Sequence, residues 1–138
     1  LLGVALYWAE GHKKLATKNG KEITGDVISF TNSDPEMVRA FLAFLRSVFP
    51  DLADDDLTVS LRVFEHSGID ESLRYWGSVT GLPTSCFTRP SVVVSRASKG
   101  KRPYNRLKHG TVQVRVNSTA KFHTLMGWVE GIQKQYRI

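Results

Sequence analysis

Glu10 closes an almost wholly apolar run, Leu1 to Ala9, and Gly11 follows it. A helix that is apolar all round must be buried. A carboxylate at the end of such a helix is costly unless it is paired or holds a cation. Mg²⁺ takes oxygen ligands and is commonly held by one or two carboxylates together with phosphate oxygens. Holding a divalent cation through oxygen is therefore one chemistry open to Glu10. A simple ion pair with Lys13 or Lys14 is the plainer alternative. Two polar rows form a second constellation. Thr58, Ser60 and Arg62 alternate with Leu57, Val59, Leu61 and Val63, and Gln113, Arg115 and Asn117 alternate with Val112, Val114 and Val116. In the major groove Arg pairs with guanine, and Gln or Asn with adenine, through two hydrogen bonds each, and a two-stranded ribbon fits that groove. An ordinary solvated sheet face would look similar. Third, Arg96, Lys99, Lys101, Arg102, Arg106 and Lys108 crowd a turn-rich stretch without a single acid, a density suited to phosphate contacts. His12, His66, His109 and His123 lack metal-ligand spacing, and no Ser-His-Asp arrangement, P-loop or dinucleotide fingerprint is present.

The elements that must position these residues follow from periodicity and caps. The opening run reads as a helix whose small residues Gly3, Ala5 and Ala9, with Leu6 beside them, make a face that another helix can approach closely. Gly11 suits a left-handed cap at its end. Residues 12–22 hold a turn signal, Asn19-Gly20, and room for a short first strand. Asp26 to Asn32 reads as a strand. Asp34 as N-cap and Pro35 at the first helical position start a helix carrying Met37, Val38, Phe41, Leu42, Leu45 and Val48 inward. Leu57 to Phe64 is a strand. Asp70 caps a further helix with Leu73, Trp76 and Val79, ending at Gly81-Leu82-Pro83. Ser91 to Ser95 is a Val-rich strand, and Thr111 to Asn117 another. Ser118 or Thr119 caps a last helix bearing Phe122, Leu125, Met126, Val129 and Ile132. The order predicts an α+β fold, an antiparallel sheet with helices on one face.

The chain has 138 residues, enough for one domain with a real core, and a formal net charge of +6 that favours a polyanionic partner. The single Cys86 rules out an intramolecular disulfide and fits a reducing compartment. No apolar run reaches the roughly 18 residues of a membrane span, and the opening run has no basic leader. A cytoplasmic, nucleoid-associated or organellar location is expected, not a secreted one. The chain opens at Leu rather than Met, inside the first helix, so a segment upstream of Leu1 is expected.

The window Gly3-Val4-Ala5-Leu6-Tyr7-Trp8-Ala9-Glu10-Gly11 resembles the LAGLIDADG motif of homing endonucleases. Its small residues fall on Ala5 and Ala9, its metal-binding acid on Glu10 and its closing glycine on Gly11. It departs from the pattern at Gly3, where Leu is usual, and at Trp8, where an acid is frequent. Phe30-Thr31-Asn32-Ser33-Asp34-Pro35 leading into Phe41-Leu42 also looks like the family. The resemblance covers about the first 48 residues, and the remainder by element order alone. It implies an αββαββα core, to which this chain adds a helix around Asp70–Gly81. With one motif per chain it implies a homodimer through Gly3, Ala5, Leu6 and Ala9. The Glu10 pair, with Gly11 beside it, would hold Mg²⁺ at the scissile phosphates of double-stranded DNA. It further implies that Asn32 orders the attacking water and that Lys134, or secondly Lys121, is a basic helper. Three other readings remain: a DNA-binding regulator of the same fold without cleavage, an RNA-binding intron maturase, and a basic enzyme on an unrelated small substrate.

Overall fold

Residues 2–11, 17–18, 21–22, 27–64, 68–93 and 108–136 are described by the structure, a computed structural model. In chain order the elements are α1 (Leu2–Glu10), β1 (Thr17–Lys18), β2 (Lys21–Glu22), β3 (Ile28–Asn32), α2 (Pro35–Val48), β4 (Leu57–Phe64), α3 (Ile69–Thr80), β5 (Ser91–Val93), β6 (Thr111–Val116) and α4 (Thr119–Gln135). Short 3-10 turns lie at Asp54–Asp56 and Thr84–Cys86. β1 and β2 form a small antiparallel pair, with the Asn19-Gly20 turn signal between them and outside the described residues.

Among the described residues the fold is α+β: four helices and a four-stranded sheet in the order β3-β6-β4-β5. β6 runs antiparallel to both neighbours, β3 and β4. β5 runs parallel to β4, pairing Arg62 with Ser91 and Phe64 with Val93. The sheet is therefore mixed, and the expectation of a purely antiparallel one is corrected. The cause is α3. A parallel neighbour needs a long crossover, usually helical, and α3 supplies it between β4 and β5. A Val-rich run shows that a strand exists but carries no sign of its direction.

Strict alternation makes one sheet face apolar. Ile28, Phe30, Leu57, Val59, Leu61, Val63, Val112, Val114 and Val116 are all buried, and they join a core with Tyr7, Phe41, Leu45, Trp76, Phe122 and Leu125 from the helices. Burying such a side chain contributes about 1.5–3 kcal/mol, and this common core holds the helices to one face. Phe41 lies between two rings, its centroid 4.4 Å from that of Phe30 and 5.6 Å from that of Tyr7.

The helix ends follow from their caps. Asp34 Oδ1 accepts the Glu36 N–H at 2.9 Å, with Pro35 at the first helical position. Ser118 Oγ accepts the Lys121 N–H at 3.2 Å. Gly81 takes the left-handed conformation, φ 69°, that ends α3. The start of α3 differs from expectation: Gly68 is the N-cap, and Asp70 sits inside the first turn, where its charge favours the helix dipole. At the far end of this helix's neighbourhood, buried Trp76 donates its indole N–H to the His109 carbonyl at 2.9 Å, tying α3 to the start of β6.

Candidate nucleic-acid interface

The residues left on the other sheet face are the polar ones. Register places Thr58 opposite Arg115, Ser60 opposite Gln113 and Arg62 opposite Thr111. From the other side β3 adds Ser29 opposite Arg115 and Thr31 opposite Gln113. The two polar rows read from the sequence thus become one surface, because β4 and β6 are neighbours and their side chains alternate in phase. A groove of about 330 Å³ runs over it, lined by Thr31, Ser60, Leu61, Arg62, Ser91, Thr111 and Gln113.

Hydrogen bonds fix several of these side chains. Gln113 Nε2 donates to Ser29 Oγ at 2.9 Å, and Asn117 Nδ2 donates to Thr58 Oγ1 at 3.2 Å. Ser60 Oγ and Thr88 Oγ1 share a hydrogen bond of 3.0 Å. Arg62 is exposed and Arg115 half-buried, its Nε buried without a hydrogen-bond partner. Ion pairs among the described residues join Arg39 to Glu36, Arg46 to Asp54, Lys121 to Asp51 and Lys134 to Glu130. Neither Arg62 nor Arg115 is in them, and no acid stands among the polar-face residues named here. The face is net cationic, with hydroxyls and amides between its charges. That chemistry suits phosphates and base edges.

Ser29, Thr31, Ser91 and Thr111 were missed by sequence reading. For β3 a signal existed: Ser29 and Thr31 alternate with Ile28 and Phe30 in the same period that exposed the other two rows. Of the basic stretch, Lys108 is described and exposed, while Arg96, Lys99, Lys101, Arg102 and Arg106 lie outside the described residues.

α1 packs on α2, α4 and β3. Val4 and Tyr7 point into the core, Gly3 and Leu6 are half-buried, and Ala5, Ala9 and Glu10 are exposed, with Leu2 75% and Trp8 39% exposed. The helix predicted to be buried all round thus has an apolar face open in the single chain. Gly3 serves a contact within the chain, since a Cβ there would lie 2.1 Å from the Phe44 ring of α2. Ala5 and Ala9 are the small residues that face outward.

Gly11 corrects an expectation as well. Its backbone is not left-handed. A Cβ at Gly11 would stand 2.2 Å from the Tyr7 ring, so the glycine is demanded by close approach. Gly11 bridges Phe30 in antiparallel fashion, which brings the end of α1 beside β3. Tyr7 lies beneath this junction. Its hydroxyl accepts the Ser29 N–H at 3.3 Å, and burial pushes its pKa up to about 12, the hydrogen bond from the Ser29 backbone opposing part of the rise.

The Glu10 carboxylate makes no hydrogen bond or ion pair with another described side chain, and no cluster of three or more His, Cys, Asp or Glu occurs among the described residues. Asn32, two residues after the Gly11–Phe30 bridge, uses Oδ1 to accept the Asp34 N–H at 2.8 Å. Lys134 pairs with Glu130 at 3.1 Å along α4. Lys121 bonds Asp51 at 2.9 Å and lies 5.6 Å from the Phe49 ring centroid. That bond holds the Asp51 carboxyl below its ordinary range. The implied helpers are thus engaged locally, and no contact gathers them at Glu10.

The described residues form a mixed-sheet α+β fold with one apolar, helix-packed face and one cationic, hydroxyl-rich face. The chain matches no protein-family model, no curated protein and no solved structure.

Proposed function

We propose that the chain is a single-motif homing endonuclease of the LAGLIDADG type, a homodimer that cuts double-stranded DNA with Mg²⁺. The observation that carries this reading is the outer face of α1: Ala5 and Ala9 lie exposed one turn apart, and Glu10, exposed as well, closes the helix. Two such helices packed through Ala5 and Ala9 bring two Glu10 carboxylates together. One carboxylate per chain is half of what Mg²⁺ commonly takes from protein, the rest of its shell being water and phosphate oxygen. Glu10, with the Gly11 backbone beside it, would hold the ion, which when bound activates water and stabilises the leaving oxygen. The polar sheet face, with Thr58, Ser60, Arg62, Gln113, Arg115 and Asn117, holds the duplex in register, and the basic stretch containing Lys108 adds phosphate contacts.

A second reading, DNA binding without cleavage, is favoured by the local engagement of Asn32 and Lys134. Plasmids carrying duplexes enriched by binding to the protein separate the two. The expected result is Mg²⁺-dependent linearisation by the wild type, slowed about 100-fold or more in Glu10→Gln, with binding retained. Binding without cutting by either protein selects the regulator, and no binding at all removes both readings.

A further inference from the structure

The geometry points to Gln113 as an adenine-reading side chain, held in one orientation by Ser29. The inference rests on the DNA-binding reading of the polar face and adds to it which base the face selects. A glutamine amide has two N–H donors and one acceptor oxygen. In Gln113 one donor is committed to Ser29 Oγ at 2.9 Å. The other N–H and Oε1 remain, and a donor with an acceptor is the combination that matches N7 and the N6 amino group of adenine. Guanine offers two acceptors there, N7 and O6, so its O6 would oppose Oε1. Cytosine offers a donor alone and thymine an acceptor alone.

The anchor is firm. Ser29 is only 8% exposed, its strand pairs with β6 at Arg115, and its backbone N–H is held by the Tyr7 hydroxyl. A free glutamine loses rotamer freedom when it binds a base, whereas this one has already lost part of it in folding. Gln113 is also reachable. It lines the groove between its register partners Thr31 and Ser60, and no described acid competes for its amide.

The test is selection from a randomised duplex library by the full chain, followed by sequencing of the bound pool, for wild type, Gln113→Glu and Ser29→Ala, each checked for folding by thermal melting. Wild type is expected to prefer A·T at one position of its site by about 5- to 150-fold. Gln113→Glu should move that position toward cytosine, whose N4 donates to a carboxylate. Ser29→Ala should flatten the adenine preference while the rest of the site persists, and it carries the test alone if Gln113→Glu does not fold. An enriched site whose adenine is equally preferred by the folded variants overturns the inference and leaves DNA binding standing. A wild-type chain that retains no duplex overturns both.

Discussion

Ser29 joins the two sides of the sheet. Its N–H meets Tyr7 from α1, while its hydroxyl holds Gln113 on the open face. One residue thus couples the buried Tyr7 of α1 to the surface proposed to read a base. The Tyr7 phenol has a folded-state pKa of about 12 against the usual 10. The neutral form is the one favoured by folding, so this contribution is fully present below pH 10 and is lost as pH rises through 12. Tyr7→Phe should lower stability at pH 7 by about 1 kcal/mol, the Ser29 N–H having lost its acceptor. The same variant should flatten the fall in stability between pH 10 and 12. Urea unfolding across that range measures both, and an unchanged alkaline slope would rule the assignment out. Glu10 shows the reverse relation between sequence and structure: its place at a helix end was readable, whereas its freedom from side-chain partners among the described residues was not.

At the scale of elements, caps and periodicity did most of the placing. Asp34, Ser118 and Gly81 cap as their residue types imply, because a short polar side chain or a left-handed glycine satisfies orphan backbone groups locally. Gly11 was attributed to the wrong cause. Both a left-handed turn and a close approach select glycine, and only the position of the Tyr7 ring separates them. Gly11→Ala should therefore destabilise the fold by about 1–3 kcal/mol through overpacking, read as a lower urea midpoint. A neutral outcome would mean the ring moves freely aside. β5 is the element whose role escaped prediction. Its pairing depends on the path taken by α3, and Trp76, fastened to His109, locks that path to β6.

For the whole molecule, the outer surface of α1 stands out because, among the described residues, it is apolar and exposed. An apolar face that includes Leu2 and Trp8 tends to seek cover. If a second copy supplies it, light scattering gives twice the 15.5 kDa of the chain. Ala5→Glu, at an exposed position, should return the mass to 15.5 kDa without lowering the melting temperature. A wild-type chain monomeric at all concentrations, with or without DNA, would exclude the dimer. Among the described residues no helix is long and apolar enough to cross a membrane.

Sequence by itself determined which residues are apolar and with what period, hence the helices, the strands, the core face and the polar rows of β4 and β6. These depend on contacts within a few residues, where caps and alternation act. Tertiary structure alone decided which strands are neighbours, that β5 runs parallel, and that Gly3 and Gly11 make room for rings. It also decided that Asn32, Lys121 and Lys134 spend their polar groups on near neighbours. Strand neighbours, ring contacts and the Lys121–Asp51 pair turn on the meeting of residues far apart in the chain, and the side chain that fills a given space is set by the packing of the whole core.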